Sequence, residues 1–505
     1  MVILDGNTLK IEDVFNVALK FEEVSLCPEA EKLIKASSDC VERLVKSGKT
    51  VYGITTGFGD LANKTIPPDE VEKLQLNLVR SHSVGVGTPF SEKVVRGIIL
   101  LRINALAKGY SGVRLTVINT LIALLNKGIY PYIPSQGSVG ASGDLAPLAH
   151  LALAIVGEGE CLVGGKRFPS KGVMLKKGIE PVVLKAKEGL GLTNGTQAMA
   201  SLGCLSVYKA KRLIKNAQIA TAMSVEALKG TTKAFDERIH ALRPHAGQVT
   251  VAENLRNLLA GSEIISSHRD CSKVQDAYTL RCYPQVTGAV LDAINYVESI
   301  LSIEINSAND NPLIFADQDE AISGGNFHGE PLALALDYLG MAVSELSNIS
   351  ERLIDRLVNP YKSGLPGFLT RNGGINSGFM IVQYTAAALV SENKVLSHPA
   401  SVDSIPTSAG QEDHVSMGTI SCRHALDIID NTENVVAIQL LTAAQGMDFW
   451  DMSPGTGTKV ARDEVRKYIS FMDEDRILYK DMEIARKLVD DRIVLKAVEK
   501  VIKLK

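Results

Sequence analysis

The sequence predicts a mainly α-helical protein with a mixed N-terminal domain and a long central antiparallel helical bundle. The bundle is predicted because, from about residue 198 onward, apolar residues recur at intervals of three and four over long stretches. The mixed domain is predicted because shorter helical patterns alternate there with Gly-rich turns and, over residues 157–187, with stretches typical of short strands. We therefore expect one domain over residues 1–200 and a second over residues 201–505.

Amphipathic patterns open the N-terminal domain. Apolar residues lie at helical spacing from Ile11 to Phe21 and from Ala30 to Leu44. A longer and more strongly apolar segment runs from Val94 to Lys127. These three segments are predicted to be helices.

Two polar segments lie between these helices. The Gly-rich loop 51–59 contains Tyr52, and residues 76–87 contain His82 followed by a Gly-rich turn. Taken alone, a tyrosine in such a loop is typical of a half-buried structural side chain, and a lone histidine is usually structural as well. Spacing by itself therefore assigns no chemistry to either residue.

A tight loop of small residues, Gly137 to Asp144, runs directly into an apolar helix predicted from Leu145 to Val156. Asp144 is a good N-cap residue, and Pro147 is tolerated in a first helical turn. Because the following positions are apolar on nearly every face, the helix should be buried. Its positive dipole end then points at the tripeptide Ala141-Ser142-Gly143, where negative charge would be stabilised.

Three interpretations of Ser142 compete. The first is a Gly/Ser turn before a core helix, which is a common structure. The second is a nucleophile on a strand-to-helix elbow, but that motif needs glycine two residues later, where Asp144 stands. In the third, the Gly143 nitrogen attacks the Ala141 carbonyl, whose oxygen leaves as water, and Ser142 loses its hydroxyl as a second water. The product is a five-membered ring with an exocyclic methylene, a strong electrophile, and its closure requires small residues.

The second half of the chain carries the helices of the predicted bundle. The clearest pattern runs from Leu332 to Leu357, where leucine, isoleucine and valine residues step by three or four. Residues 286–305, 377–397 and 418–445 show the same periodicity. Long antiparallel helices packed side by side follow from these patterns.

Polar segments interrupt this bundle. Gln275, Tyr278 and Arg281 lie at intervals of three and would share one face of a helix, although a solvated polar face has the same spacing. The segment around Phe327 is polar and turn-forming, and a loop before an apolar helix concentrates ionisable groups around Glu412. The acidic pair Glu412-Asp413 could equally be a helix N-terminal cap.

Composition limits the class of protein. The chain has 505 residues, of which 45% are hydrophobic, and its net charge of −3 comes with no basic cluster. Nucleic-acid and membrane partners are therefore not expected, and small molecules and further copies of the chain are. The seven cysteines form no Cys-x-x-Cys pair, no histidines show metal-ligand spacing, and no signal peptide is evident, so we expect a metal-free cytoplasmic protein.

The segment Gly140-Ala-Ser-Gly-Asp-Leu-Ala-Pro-Leu148 resembles the signature of the aromatic amino acid ammonia-lyases. The cofactor of that family is 4-methylideneimidazol-5-one (MIO). The resemblance implies that Ala141, Ser142 and Gly143 form this electrophile autocatalytically, as in the third interpretation above. It also implies the ammonia-lyase/fumarase-like arrangement of helices and a carbon-nitrogen lyase activity.

The resemblance implies further roles in the N-terminal domain and in the bundle. Tyr52 would handle protons in a loop that covers the site, and the amide of Asn194 would hydrogen-bond the MIO carbonyl. In the motif that contains Gln275, Tyr278 would remove the β-proton and Arg281 would bind the substrate carboxylate. In addition, the resemblance implies that Phe327 packs on the MIO or on the substrate ring.

Three residues bear on the choice of substrate: His82, Met380 and Glu412. Histidine-specific members of the family have a similar Ser-His pair, Ser-Gly-Phe-Met and Gln-Glu-Asp-His. A buried carboxylate at Glu412 would gain from an imidazole ring but would stay uncompensated against a phenyl ring. The resemblance thus implies elimination of ammonia from L-histidine to give trans-urocanate, in histidine degradation. A tyrosine ammonia-lyase or an MIO-dependent aminomutase is the alternative.

The resemblance also implies a homotetramer with active sites shared between subunits, which long bundle helices would suit. A protein of another class, a catalytically silent helical scaffold, remains an alternative. A scaffold has no need of the Ala-Ser-Gly tripeptide together with Tyr52, Tyr278 and Arg281, so their joint presence favours an enzyme.

Overall fold

The computed structural model describes residues 1–269, 271 and 274–505, and its fold is mainly α-helical, as the sequence predicts. Contacts divide the chain into two compact units, each assembled from several segments. Unit 1 comprises Met1–Tyr208, Val297–Asp337 and Pro399–Arg423; unit 2 comprises Lys209–Tyr296, Tyr338–His398 and His424–Lys505. The predicted boundary near residue 200 stays a prediction.

Unit 1 combines helices with short strands. Its helices are Ile11–Lys20, Pro28–Lys46, Val71–His82, Glu92–Ala107, Leu115–Asn126, Leu145–Ile155, Ser170–Lys176 and Glu188–Thr193, with 3-10 turns at Gly59–Leu61, Pro68–Glu70 and Ser408–Gly410. Its strands form a parallel pair, Val2–Leu4 with Val24–Leu26, and three antiparallel sheets: Val86–Pro89 with Pro134–Gln136; Tyr130–Pro131, Glu160–Val163 and Lys166–Pro169; and Leu313–Phe315 with Glu320–Ile322.

The described residues of unit 2 form helices and their connections, without a strand. Its own helices are Glu237–Ala241, Ala246–Leu258, Glu263–Ser266, Tyr278–Arg281, Pro360–Ser363, Met380–Leu396, Thr456–Arg466, Leu478–Asp490 and Ile493–Glu499, with 3-10 turns at Lys233–Phe235 and Gly367–Leu369. The longest helices each begin in one unit and end in the other; they are Gln197–Ala227, Tyr283–Glu304, Glu330–Val358 and Gly418–Met447.

Hydrophobic periodicity located most long helices correctly. Leu332 to Leu357, for example, lies within the observed helix Glu330–Val358, and its inward-facing leucines are buried. The segment from Val94 to Lys127 is helical, as predicted, but it consists of two helices, one ending at Ala107 and one beginning at Leu115. Two glycines in the connection have positive φ, which continues neither helix.

The segment 157–187 differs in part from the prediction of strands and turns. The hairpin of Glu160–Val163 and Lys166–Pro169 is present, but it is followed by the short helix Ser170–Lys176. Buried Ser170 and Met174 anchor this helix, since both are almost fully shielded from solvent. About two turns of amphipathic helix are too short to give a clear periodicity in the sequence.

Helix Tyr283–Glu304 is long and apolar enough to cross a membrane by length and composition, whereas no membrane partner is expected from the sequence. The helix nonetheless carries Asp292, whose carboxylate accepts a hydrogen bond from the Gly247 N–H at 2.8 Å. Its residues Val290, Ile294, Val297 and Leu301 are buried in the protein. These features are those of a helix that packs one face into the protein.

Candidate functional site

The backbone of the Ala141-Ser142-Gly143 tripeptide is paired with the start of helix Gln197–Ala227. Gly143 and Gly195 form a short parallel bridge, in which the Asp144 N–H donates to the Gly195 carbonyl at 2.7 Å and the Gly195 N–H donates to the Ser142 carbonyl at 3.4 Å. Gly143 has a φ of +73°, and a Cβ there would collide with the Gly195 carbonyl oxygen. Only glycine therefore fits this position.

The residues before the tripeptide are held by the segment before helix Gly418–Met447. The Val139 carbonyl accepts from the Met417 N–H at 2.9 Å, and the Ser416 hydroxyl donates to the Gly140 carbonyl at 3.3 Å. Ala141 itself is buried in an apolar cluster with Ala400, Val415 and Met417. The tripeptide loop is thus fixed on both sides within unit 1.

Asp144 does not cap the helix that follows it, contrary to the sequence prediction. Its carboxylate instead accepts hydrogen bonds from the N–H groups of Ala198 and Met199, at 2.8 and 2.9 Å, in the first turn of another helix. The Thr419 hydroxyl donates to its other oxygen at 2.8 Å. Complete burial raises the pKa of Asp144 to about 6, although these hydrogen bonds oppose the shift. Asp144 therefore joins the tripeptide loop to two long helices.

A cavity of about 210 Å³ lies against the tripeptide, and it contains two of the predicted specificity residues. Its lining includes His82 and Glu412 together with Ala141 and Gly143. This volume is below the roughly 300–1,000 Å³ that is typical of drug-sized ligands, so it suits a small metabolite. The residues that line the cavity are Ser81, His82, Val84, Gly137, Ser138, Val139, Gly140, Ala141, Gly143, Leu145, Ala146, Thr407 and Glu412.

His82 and Glu412 are the ionisable side chains in the lining of this cavity. Burial lowers the pKa of His82, and the negative charge of Glu412 opposes that shift. The Ser81 hydroxyl lies 3.0 Å from Nδ1 of His82, and the Thr407 hydroxyl donates to the Glu412 carboxylate at 2.7 Å. Both side chains are therefore oriented by a neighbouring hydroxyl group.

Tyr52 lies beside the Glu412 loop but not in the cavity lining. Its phenol oxygen accepts from the Gly59 N–H at 3.3 Å, within its own loop. A Cβ at Gly59 would be 2.8 Å from the Ser408 hydroxyl, so the two loops are in close contact. The structure thus brings Tyr52 to the edge of the site and leaves its catalytic role a prediction.

Asn194 and Phe327 lie next to the tripeptide. The Asn194 side-chain amide donates to the Asn311 carbonyl at 3.0 Å, and its neighbour Gly195 is the residue that pairs with Gly143. The half-buried Phe327 places its carbonyl oxygen 3.0 Å from the point that a Cβ on Gly143 would occupy. Both therefore border the residue that must be glycine.

The motif residues of unit 2 line a separate cavity of about 360 Å³. The expected shared helix face is wrong, because the helix comprises only Tyr278–Arg281 and Gln275 precedes it. Tyr278 is 70% exposed, and the Arg281 guanidinium lies 4.5 Å from the centre of its ring. The lining consists of Leu228, Gln275, Asp276, Ala277, Tyr278, Leu280, Arg281, Arg356 and Lys362.

Met380, the third predicted specificity residue, begins helix Met380–Leu396 of unit 2 and is half-buried. It is not part of the lining of the cavity in unit 2. Its contact with a substrate therefore stays a prediction.

Comparison with known proteins decides the family. The family model described as aromatic amino acid lyase matches residues 9–467. The chain belongs to the aromatic amino acid lyase family. The resemblance seen in residues 140–148 is thereby confirmed.

Individual members of the aromatic amino acid lyase family match over essentially their full length. The chain is 54% identical over 504 residues to histidine ammonia-lyase of Alkaliphilus oremlandii, covering 100% of this chain and 99% of the relative. Histidine ammonia-lyase from Trypanosoma cruzi is 45% identical, with a TM-score of 0.92 and coverage of 99% of this chain and 95% of that chain. Tyrosine aminomutase from Streptomyces globisporus is 38% identical, with a TM-score of 0.95 and full coverage of both chains.

The sequence reasoning missed Arg102, a fully buried arginine that supports the site of this lyase-family chain. Its Nη1 donates to the Asn194 carbonyl at 2.5 Å and to the Gln197 side chain at 2.8 Å, and its Nη2 donates to the Gly191 carbonyl. Burial lowers the pKa of Arg102 to about 10. The available signal was a charged residue within the apolar stretch of residues 98–103 in helix Glu92–Ala107.

Thr407 was missed as well, although it orients Glu412. No sequence pattern links a threonine to a carboxylate five residues later, since the contact depends on the bridge between Thr407 and Glu412. Ser408 and Ala409 between them have positive φ, a strained conformation that is concentrated at functional sites. Among the described residues, no group of three or more histidine, cysteine or acidic side chains is arranged to hold a metal ion.

Proposed function

We propose that the protein acts as a histidine ammonia-lyase, which converts L-histidine to trans-urocanate and ammonia in the cytoplasm. The observation that carries this proposal is that His82 and Glu412 line one cavity together with Ala141 and Gly143. Relatives that are named histidine ammonia-lyase and match along the whole chain support it.

The tripeptide fits the formation of MIO from Ala141, Ser142 and Gly143. Position 143 has no room for a side chain, Ala141 is small and buried, and Ser142 is half-buried. These are the small residues and the compressed turn that ring closure needs. Asn194 and Phe327 are the neighbours that would hold the group. Once formed, MIO supplies an electrophile that activates the substrate for loss of ammonia.

Glu412 supports histidine as the substrate. A carboxylate in a cavity gains from a charge-assisted hydrogen bond with an imidazole N–H, whereas a phenyl ring offers no such partner. His82 would contact the same ring from the other loop. Because Thr407 already donates to one oxygen of Glu412, the orientation of the carboxylate is set before substrate binds.

At the other end of the substrate, Arg281 would bind the carboxylate through two parallel hydrogen bonds, and Tyr278 would take the β-proton. Gln275 lines the same cavity and would complete the polar surface. The Arg281 guanidinium lies 4.5 Å from the centre of the Tyr278 ring, so the two groups are close enough to act on one substrate molecule.

We further propose a homotetramer in which unit 2 of one subunit supplies Tyr278 and Arg281 to the tripeptide of another. Exposure supports this assembly, since Tyr278 is 70% and Val274 is 94% exposed. Large apolar side chains are also exposed along the long helices, which favours burial against further copies. Examples are Ile303, Leu334, Met341, Ile381 and Val395.

A tyrosine ammonia-lyase or an MIO-dependent aminomutase is the second candidate. It is favoured by the similarity to tyrosine aminomutase from Streptomyces globisporus and by His82, which would also suit a phenol ring. The scaffold alternative has no comparable support in the residues around the tripeptide.

One assay separates these functions. Purified protein is incubated with L-histidine, L-tyrosine or L-phenylalanine, and ammonia and the ultraviolet absorbance of the unsaturated acid are followed. Turnover of L-histidine with much higher kcat/KM supports the proposal. Preferential turnover of L-tyrosine, or a β-amino acid product, supports the second candidate, and no turnover of any substrate supports the scaffold.

A further inference from the structure

His150 connects the helix that follows the tripeptide to the segment that carries His82. It lies on helix Leu145–Ile155, and its Nε2 accepts a hydrogen bond from the Gly85 N–H at 3.1 Å. A backbone N–H can only donate, so this nitrogen must carry no proton. The imidazole is therefore neutral, with its proton on Nδ1. Burial lowers the pKa of His150, which favours the same neutral form.

Gly85 is the first residue after His82 whose backbone N–H forms a hydrogen bond with a different element. The Ser83 hydroxyl donates to the Val79 carbonyl at 2.7 Å, and the Val84 N–H donates to the His82 carbonyl at 2.9 Å. Both bonds join residues within the segment 79–84 and do not connect it to another element. Helix Val71–His82 packs against helix Leu145–Ile155, and the bond from Gly85 adds a hydrogen bond between the two elements just beyond the end of the first helix.

Gly85 is also packed tightly between neighbouring backbones. A Cβ on it would be 3.1 Å from Pro134 and 3.3 Å from Nε2 of His150, and a Cβ on Gly137 would be 3.3 Å from the Gly85 Cα. Gly137 is the first residue of the tripeptide loop. A shift of Gly85 would therefore disturb both Val84 and Gly137, which line the cavity beside the tripeptide.

Space for such a shift exists on the far side of Gly85. A third cavity, of about 480 Å³, is lined by Gly85 and His150 together with side chains of the adjacent sheet. The charged groups that face His150 there are Glu160 and Arg167, which pair with each other, and Arg167 also lies 3.9 Å from the centre of the Tyr132 ring. Their charges largely cancel, which is compatible with a neutral imidazole.

We infer that His150 is a positioning residue for substrate recognition: by accepting the Gly85 N–H, it holds the His82 segment against the tripeptide loop. The inference rests on the proposed role of His82 as a contact of the substrate ring. His150 does not line the cavity beside the tripeptide, so its effect on substrate passes through Gly85 and His82.

Two variants test the hydrogen bond. H150F keeps a ring of similar size but has no acceptor, whereas H150Q retains an acceptor oxygen. Because an unmade hydrogen bond leaves the Gly85 N–H without a partner, we expect H150F to raise KM for L-histidine about tenfold with kcat changed less than about threefold. H150Q should restore KM to within about threefold of the wild-type value. H240F, at a buried histidine of unit 2, is the matched control and should leave both constants unchanged.

A double-mutant comparison distinguishes positioning from general stabilisation. If His150 acts through His82, adding H150F to H82A should leave KM unchanged beyond the effect of H82A alone. If the two substitutions instead multiplied each other's effect on KM, the inference would be overturned. H82A without an effect on KM would instead overturn the role of His82, and with it this inference. If the wild type prefers L-tyrosine, the same comparison is made with L-tyrosine.

Hydrogen exchange provides a readout that is independent of activity. The peptide containing Gly85 should lose protection in H150F and keep it in H150Q, while the intact mass of both variants shows the same state of the tripeptide as wild type. Unchanged protection of this peptide in H150F would overturn the inference. If H150F does not fold, H150L and H150Q provide the same contrast between an absent and a retained acceptor.

Discussion

The carboxylate of Asp144 accepts a hydrogen bond from the backbone N–H of Met199 at 2.9 Å, although Met199 lies 55 residues further along the chain. The N–H of Ala198 donates to the same oxygen. This contact means that the residue after the tripeptide caps a helix to which it does not belong. The helix dipole and the two N–H groups favour the ionised carboxylate, whereas burial favours the protonated one. Since the pKa of Asp144 is raised to about 6, burial dominates.

This raised pKa predicts a pH dependence of stability. The folded state binds more protons at Asp144 than the unfolded state between its ordinary pKa of 3.8 and about 6. The contribution of Asp144 to the free energy of unfolding is therefore most favourable at low pH and falls by roughly 3 kcal/mol as the pH rises through this window. Urea unfolding of wild type and D144N at pH 4 and pH 7 measures it. Between these two pH values the wild type should lose about that much free energy of unfolding relative to D144N. A stability difference between the two proteins that does not change with pH would contradict the account. D413N, at an exposed carboxylate, is the control.

Substitution of Gly143 by alanine should abolish the formation of the electrophile. The added Cβ would collide with the Gly195 carbonyl, and φ at this position is +73°. We expect kcat to fall by more than about a thousandfold and the intact mass to equal the value calculated from the sequence. G172A, where a Cβ meets open space, should change neither quantity. An active G143A variant would show that the bridge to Gly195 is not required.

Neutralisation of Glu412 should weaken histidine binding specifically. A hydrogen bond to a charged partner contributes about 1.5–3 kcal/mol, so E412Q should raise KM for L-histidine by roughly ten- to a hundredfold. The exposed neighbour Asp413 gives the matched control D413N, which should leave KM unchanged. Steady-state kinetics with L-histidine and L-tyrosine measure the effect. Equal losses for both substrates would indicate that Glu412 does not recognise the imidazole.

Mixed oligomers test whether subunits share their active sites. S142A lacks the reactive serine and Y278F lacks the proposed base, so each variant alone should be inactive. Co-expression of the two should restore a measurable fraction of wild-type activity if unit 2 of one subunit serves the tripeptide of another. Activity no greater than that of the separate variants would place both residues in the same subunit's site.

Local patterns in the sequence predicted local structure well. The periodicity from Leu332 to Leu357 and the Ala-Ser-Gly motif depend on neighbouring residues alone, and both were recognised without a structure. The capping of another helix by Asp144 and the hydroxyl contact of Thr407 to Glu412 could not be predicted in this way. The first depends on how distant backbone segments pack, and the second depends on a local turn with positive φ at Ser408 and Ala409. The hydrophobic period of the sequence encodes neither.

The position of Gln275 shows the same limit at short range. Intervals of three suggested a helix that would carry it with Tyr278 and Arg281, but the helix begins only at Tyr278. The three side chains nevertheless line one cavity. Spacing therefore identified the cluster correctly and its geometry incorrectly, because an extended approach to a short helix can bring side chains together as well as a continuous helix can.

The measurement that tests the central claim most directly is the intact mass of the purified protein, compared with that of S142A. Ring closure at Ala141-Ser142-Gly143 removes two water molecules. The account predicts that the wild type is lighter than its sequence mass by two waters and that S142A has its full calculated mass. A wild type that turns over L-histidine at its full calculated mass would contradict the account.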